Sequence, residues 1–193
     1  MLIVFEGPSR SGKSTTMAAV AERLRSRNLR VRELIHPGVL DRELQPIALE
    51  LAQVIDPLER LLLYATRTCS NAGVVQRALA EDADQILLLD RFLLSLMVLC
   101  HHVHGLPRDT VEIVSLLAGR DITVTATVFF DADYDEYIRR GGQLEPIIYD
   151  RFRAGFHEEF RCHDGPKHNL EFHRQETPDN VNEVLSFLDE EIF

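Results

Sequence analysis

The sequence predicts a doubly wound α/β fold, in which a five-stranded parallel sheet carries helices on both faces. Short apolar segments alternate along the chain with stretches of helical periodicity, the pattern of strands joined by crossover helices. The first three of these segments lack a clean alternation of apolar and polar residues, as expected for strands covered on both faces. The 193 residues are enough for one core, so residues 1–193 are expected to form a single domain.

The predicted strands follow from short apolar runs. They are Leu2–Glu6, Arg30–Leu34, Gln85–Asp90, Thr123–Phe130 and, as the weakest, Asn169–Arg174. Apolar residues at helical spacing predict helices at Ser14–Arg27 and at Pro57–Ala80, the second with proline in its first turn. Because ligands bind such sheets at the carboxyl ends of the strands, the residues directly after each strand are the first candidates for a site.

The composition of the chain limits the kinds of partner it can bind and the cellular compartment in which it is expected. The formal net charge is -10, so the surface as a whole repels phosphate backbones and anionic membranes, which argues against a nucleic-acid or membrane partner. The apolar start, Met1–Phe5, is too short for a signal-peptide core or a membrane span, and a cytoplasmic protein is therefore expected. Cys69, Cys100 and Cys162 lack paired spacing and are expected to be reduced thiols.

A phosphate-binding motif follows the first predicted strand. Residues 7–14, Gly-Pro-Ser-Arg-Ser-Gly-Lys-Ser, match the P-loop pattern G-x-x-x-x-G-K-[ST] in full, and a helical pattern begins at once. Such a loop points backbone N–H groups at phosphates, with Lys13 reaching the β- and γ-phosphates and the Ser14 hydroxyl on Mg2+. A glycine turn without function is the alternative, but the strand and helix on either side favour ATP and Mg2+ binding. The predicted cofactor-binding residues are Gly7, Ser9, Arg10, Ser11, Gly12, Lys13, Ser14 and Thr15.

A second acidic position lies at the end of the third predicted strand. Asp90 closes an apolar run, where a carboxylate can lie beside the first strand and face the nucleotide. It could organise Mg2+ together with Ser14, or it could accept a proton from an attacking hydroxyl. The sequence leaves both roles open.

Several segments resemble the thymidylate kinase family. Asp90-Arg91-Phe92-x-x-Ser95 is similar to that family's Asp-Arg-Tyr-x-x-Ser signature. Further similar segments follow the family's order at Phe5–Gly7, Leu61–Arg67, Asp131–Asp133 and Tyr149–Phe156. The resemblance implies a P-loop kinase that transfers the γ-phosphate of ATP to a nucleoside monophosphate such as dTMP. It also implies a homodimer formed through helices beside the sheet.

The resemblance assigns roles near the transferred phosphate. Arg91 would bridge the donor and acceptor phosphates, and Arg10 in the P-loop would touch the transferring group; with Lys13 and Asp90 these are the predicted catalytic residues. A short lid is expected around residues 134–146, in which Arg139 and Arg140 could serve catalysis or merely face water.

The acceptor site is predicted to be diverged. Arg67 corresponds to the arginine that binds the thymine ring in the family, whereas Leu63 replaces the stacking phenylalanine and Tyr64 could compensate for it. Ser9 stands where the family carries a carboxylate for the sugar. The predicted substrate-binding residues are Ser9, His36, Leu63, Tyr64, Arg67, Arg91, Ser95 and Cys100.

Three functions are consistent with these residues. The first is a thymidylate kinase or a close nucleoside-monophosphate kinase. The second is a kinase with another acceptor: a modified nucleoside, a base within DNA, or a small metabolite hydroxyl. The third is a nucleotide-binding switch with weak ATPase activity.

Overall fold

The computed structural model describes residues 1–51, 54–163, 165–171 and 177–193. All strand pairs in these residues are parallel, and the sheet order is β2-β3-β1-β4-β5. The strands are β1 (Leu2–Glu6), β2 (Val31–Leu34), β3 (Ile86–Asp90), β4 (Ala126–Asp131) and β5 (Lys167–Glu171). The predicted five-stranded parallel sheet is confirmed.

Helices connect and cover the strands. They are α1 (Lys13–Ser26), α2 (Val39–Leu51), α3 (Pro57–Glu81), α4 (Leu93–Met97), α5 (Arg108–Gly119), α6 (Tyr134–Arg139), α7 (Pro146–Cys162) and α8 (Thr177–Glu191). A π-helix, Val98–Val103, continues α4 without a break. Among the described residues, no helix is both long enough and apolar enough to cross a membrane.

Apolar side chains fill the space on both faces of the sheet. On one face, Phe5 and Phe130 pack against α1 and α8. On the other, Val4 and Leu89 pack against α3. Burial on both faces explains why β1, β3 and β4 are mainly apolar, apart from Thr127 and the acids that end them, Glu6, Asp90 and Asp131.

Strand pairing explains where the observed strands differ from the predicted ones. β4 begins at Ala126, which pairs with Ile3, because β1 offers no partner to the residues before Thr125. β5 begins at Lys167, two residues before the predicted start, since it pairs with β4 from Thr127 onward. The end of that prediction, residues 172–174, lies outside the described residues.

A capping box defines the first residue of α3, the helix that carries Arg67. The Asp56 side chain accepts hydrogen bonds from two backbone N–H groups of the first turn, and the Glu59 carboxylate accepts one from the Asp56 backbone N–H. Pro57 occupies the first helical position, where its missing N–H costs nothing. The predicted helix from Pro57 is confirmed and ends one residue beyond the prediction, at Glu81.

Candidate active site

The turn between β1 and α1 has a shape that only glycine allows. Gly7 has a φ of +134°, and a Cβ placed on it would lie 2.2 Å from the Phe130 carbonyl oxygen. Gly12, with a φ of +90°, precedes α1, and none of the described side chains caps that helix. The first N–H groups of α1 are therefore available to an anion.

Lys13 is buried at the centre of this turn. Its Nζ donates a hydrogen bond of 2.9 Å to the Pro8 carbonyl oxygen, within its own loop. Burial, and next the charge of Arg91, lower the pKa of Lys13 to about 7. If a phosphate oxygen replaced the Pro8 carbonyl oxygen as the acceptor, its negative charge would stabilise the protonated form of the Lys13 amine.

Ser14 and Asp90 bring two side-chain oxygen atoms together at the end of β3. The Ser14 hydroxyl donates to Asp90 Oδ2 at 2.5 Å, which joins α1 to the end of β3. The other carboxylate oxygen, Asp90 Oδ1, is buried and has no hydrogen-bond partner among the described residues. Such an unpartnered oxygen beside a hydroxyl suits a small hard cation, and the pair therefore fits Mg2+.

Arg91 spans the P-loop and the start of α4. Its Nη2 donates to Ser9 Oγ and its Nη1 to Ser95 Oγ, both at 3.2 Å. The backbone of Arg91 is left-handed, with a φ of +68°, a strained conformation for a residue with a side chain. The predicted residues Ser9, Arg91 and Ser95 thus lie in one hydrogen-bonded group.

The predicted lid contacts the P-loop through one of its two arginines. Arg10 Nη1 donates to the Arg140 carbonyl at 2.7 Å, and Arg140 Nη1 donates to the Arg10 carbonyl at 3.2 Å. Glu136 pairs with both lid arginines, but the side chain of Arg139 is 72% exposed. Arg140 lines a cleft of about 270 Å³ whose other walls are Arg10, Gly12, Lys13, Ser14 and Thr15. Arg140 thus lines the cleft beside the P-loop, and Arg139 faces water.

A second, smaller cavity of about 80 Å³ adjoins Asp90 and Arg91. Its walls include six of the residues predicted from the sequence: His36, Tyr64, Arg67, Asp90, Arg91 and Ser95. Asp90, a wall of this cavity, is hydrogen-bonded to Ser14, a wall of the first, so the two cavities are neighbours at the end of β3.

Asp41 anchors this second cavity. Its buried carboxylate accepts hydrogen bonds from Arg67 Nε at 2.7 Å and Asn71 Nδ2 at 3.0 Å, and it lies 2.8 Å from His36 Nδ1. Burial alone would raise the pKa of Asp41, but the His36 bond and the Arg67 charge outweigh it and hold the pKa below its usual value. The Nε bond leaves the terminal amino groups of Arg67 without a partner among the described residues, and the guanidinium lies 5.6 Å from the centre of the Tyr64 ring.

Three of the predicted substrate-binding residues are not cavity-wall residues. Ser9 lies in the P-loop, where its Oγ accepts a hydrogen bond from Arg91 Nη2. Leu63 is half-buried on α3 and is not a wall residue. Cys100 is fully buried in an apolar cluster with Leu61 and Leu96, and burial raises the pKa of its thiol to about 12. Ser11 is buried within the P-loop turn.

Sequence reasoning missed Asp41 and Glu6, both buried carboxylates. Glu6 closes an otherwise apolar strand directly before Gly7, a signal that could have been noticed. Asp41 has no comparable signal, because its partners Arg67 and Asn71 lie 26 and 30 residues away.

A parallel sheet of this order, with a P-loop after β1 and an acid at the end of β3, defines a P-loop kinase of the nucleotide-kinase type. The chain is 32% identical over 144 residues to the thymidylate kinase of Bacillus licheniformis, an alignment covering 72% of this chain and 67% of that protein. It belongs to the thymidylate kinase family, as the sequence motifs predicted.

Other comparisons agree with this membership. The chain is 29% identical over 163 residues to the thymidylate kinase of Thermoanaerobacter sp. (strain X514), covering 82% of this chain and 79% of that protein. The crystal structure of thymidylate kinase from Ehrlichia chaffeensis has the same fold, with a TM-score of 0.79 over 98% of both chains at 23% identity. No family profile matches the sequence.

Proposed function

We propose that this chain transfers the γ-phosphoryl group of ATP to the phosphate of dTMP. The observation that carries the proposal is the position of Arg91, which hydrogen-bonds the P-loop at Ser9 and also lines the second cavity. A planar guanidinium between two phosphate sites can hold an oxygen of each. Donor and acceptor would therefore meet at this side chain.

The donor half would bind the triphosphate through the turn after β1. Backbone N–H groups at the start of α1 would point at the β- and γ-phosphates, and Lys13 would exchange its bond to Pro8 for a phosphate oxygen. Arg10 lies at the mouth of the same cleft and would offset charge on the transferring group. Positioning and electrostatics would supply the catalysis.

Ser14 and Asp90 are proposed to hold Mg2+. The ion, when bound, would neutralise charge on the β- and γ-phosphates. Because the phosphate of dTMP is already ionised, the reaction needs no base to activate the acceptor. We therefore assign Asp90 to the metal and not to proton transfer.

The acceptor half would recognise the base through Arg67. Thymine carries two ring carbonyl oxygens and no exocyclic amino group, so the free donors of Arg67 suit it better than they suit cytosine. Asp41 fixes the guanidinium through Nε, and Tyr64 flanks it. Such fixing lowers the entropic cost of binding the base.

Residues 134–146 are proposed to act as a short lid within a single domain. The two hydrogen bonds between Arg10 and Arg140 join this segment to the P-loop. Bound phosphates would draw both guanidinium groups inward and exclude water from the reaction.

An apolar surface beside the sheet supports the proposed homodimer. α3 and α5 expose Leu62, Leu116 and Leu117, the last at 73% of its surface. Together with α2 they border a groove of about 580 Å³. A second copy is the proposed occupant, and Leu117→Glu would then shift the mass measured by sedimentation equilibrium from dimer to monomer.

A cytoplasmic location is proposed from the chemistry. The donor is ATP, and all three cysteines carry free thiols, which suits a reducing compartment.

A labelled-product assay tests the proposed function. Purified protein is incubated with Mg2+ and ATP labelled in its γ-phosphate, separately with dTMP, dCMP, thymidine, an oligonucleotide or no acceptor. Label should appear in dTDP and require dTMP. Label in thymidine or the oligonucleotide would instead favour a hydroxyl acceptor, and free labelled phosphate at the same rate without acceptor would favour a weak ATPase switch.

A further inference from the structure

Glu6 is a buried carboxylate that none of the steps above uses. It ends β1 immediately before Gly7, and only 1% of its surface is exposed. Glu6 Oε1 accepts from the backbone N–H groups of Phe92 at 2.8 Å and Ser95 at 3.4 Å, and Glu6 Oε2 accepts from the Ser95 hydroxyl at 2.5 Å. All three bonds go to the segment that follows Arg91.

This segment needs support from elsewhere in the fold. The backbone of Arg91 has a left-handed conformation. Phe92, the residue before α4, makes no side-chain hydrogen bond that would cap the helix. Glu6 Oε1 supplies the acceptor that the first turn of α4 otherwise lacks. The Arg91 N–H donates to the Phe5 carbonyl at 3.0 Å, so the end of β1 holds the strained turn at two points.

The direction of the hydrogen bonds links Glu6 to the guanidinium. A serine hydroxyl has one proton, and Ser95 donates it to Glu6 Oε2. Its oxygen is then free to accept from Arg91 Nη1, at 3.2 Å, while Arg91 Nη2 donates to Ser9. Burial outweighs the opposing effects of the Ser95 bond and the Arg91 charge and holds the pKa of Glu6 above its usual value. The hydrogen-bond geometry is that of an acceptor: Oε1 faces two backbone N–H groups and Oε2 faces the Ser95 hydroxyl.

We propose that Glu6 is a positioning residue for phosphoryl transfer: through Ser95 and the backbone turn it fixes the Arg91 guanidinium over the P-loop. Both of its carboxylate oxygens are engaged by Phe92 and Ser95, and Glu6 lines neither of the two cavities, so it is placed to act through Arg91. The inference rests on the proposed function, in which Arg91 bridges the two phosphates. It adds a residue that neither the P-loop pattern nor the Asp-Arg-Phe motif contains.

Glu6→Gln is the sharpest test, because it keeps the size of the side chain and one acceptor oxygen for the Phe92 N–H. The new amide nitrogen would donate a hydrogen bond to the Ser95 oxygen, so the Ser95 hydroxyl proton could no longer point at residue 6. That proton would turn toward Arg91 and repel the Arg91 N–H that Ser95 accepts in the wild type. We expect kcat to fall at least about tenfold, with the KM values for ATP and dTMP changed by less than about twofold. Equal kcat in the variant and the wild type would overturn the proposal.

Ser95→Ala tests the same path without altering Glu6. It removes the acceptor of Arg91 Nη1 and should lower kcat to a similar extent. Since both residues act through one guanidinium, the double variant should lose little more than either single variant. Independent losses that multiply in the double variant would overturn the path through Ser95.

Glu159→Gln is the matched control for the loss of a buried carboxylate. Glu159 is 6% exposed and bonds Arg108 and His102, outside both cavities described above. It should lower the thermal midpoint and leave kcat at the wild-type value. The fraction of folded protein is measured in both variants. If the kcat loss in Glu6→Gln is no larger than its loss of folded protein, as in the control, then Glu6 has only a structural role and the proposal is overturned.

A spectroscopic measurement separates this inference from the proposed function. The NMR signals of the Arg91 guanidinium, assigned with Arg91→Lys, should exchange slowly with water in the wild type and rapidly in Glu6→Gln. If the wild type fails to phosphorylate dTMP, the proposed function is wrong. The exchange rate of the Arg91 guanidinium then still shows whether Glu6 positions Arg91. Unchanged exchange would overturn the positioning role.

Discussion

The two halves of the site are built from different parts of the chain. The donor half is one continuous turn, Gly7–Ser14, whose shape comes from backbone angles and from the close approach to Phe130. The acceptor half is a set of side chains from α2, α3 and α4, in which Asp41 of α2 is hydrogen-bonded to Arg67 and Asn71 of α3. Under the proposed function, phosphate binding would depend on a local backbone shape, whereas acceptor choice would depend on side chains distant in sequence and could change while the donor half stays intact.

The largest expected effect comes from removing charge in the donor half. Lys13→Ala should lower the rate of phosphoryl transfer about 1000-fold. The variant loses the buried amine that would offset charge on the phosphates during transfer. Initial rates at saturating dTMP measure the effect. The fold should persist, as judged by the thermal midpoint, because the hydrogen bond that this amine donates within the described residues goes to Pro8 in its own loop. A loss smaller than tenfold would contradict the role given to Lys13.

Arg67→Ala should affect the acceptor half selectively. We expect the KM for dTMP to rise about 10- to 100-fold, the loss of one or two charge-assisted hydrogen bonds, while the KM for ATP stays constant. Arg23→Ala, an exposed arginine on α1, is the control and should change neither constant. An effect on ATP alone would reverse the assignment of the two cavities.

Asp41→Asn should give a smaller loss of the same kind. The amide keeps the shape of the side chain but removes the charge that anchors Arg67 and His36. We expect kcat/KM for dTMP to fall about three- to tenfold, or about 0.7 to 1.4 kcal/mol. Combined with Arg67→Ala the loss should not grow further, because Asp41 acts through that guanidinium. A full additional loss would show that Asp41 meets the substrate directly.

Glu159 lies outside both halves and should affect stability alone. Burial would raise its pKa, but the bonds from Arg108 and His102 outweigh burial and hold the pKa below the usual value. A carboxyl with a lowered folded pKa stabilises the protein above its unfolded pKa, and this stability is lost as pH falls through the folded pKa. Between pH 7 and pH 3, wild type should therefore lose more unfolding free energy than Glu159→Gln, by about 1 to 3 kcal/mol in urea titrations. Parallel losses in both proteins would contradict the assignment.

The parts predicted from the sequence are those that depend on neighbours along the chain. β1 and the P-loop were predicted correctly, because an apolar run and two glycines at fixed spacing decide them locally. The contact between Asp41 and Arg67 could not be predicted, since it depends on how α2 packs against α3. The start of β5 was misjudged by two residues because pairing with β4, and not the apolar pattern, sets its register. Glu6 lies in the family-like segment Phe5–Gly7 but received no predicted role, because its partners Phe92 and Ser95 lie 86 and 89 residues away, just after the neighbouring strand β3.

Binding of each ligand alone tests the division into two halves most directly. Calorimetric titration of Lys13→Ala with Mg-ATP and, separately, with dTMP should show ATP affinity reduced at least about tenfold and dTMP affinity within about twofold of wild type. Equal weakening of both ligands, or wild-type protein that does not bind dTMP, would contradict two separate half-sites that meet at Arg91.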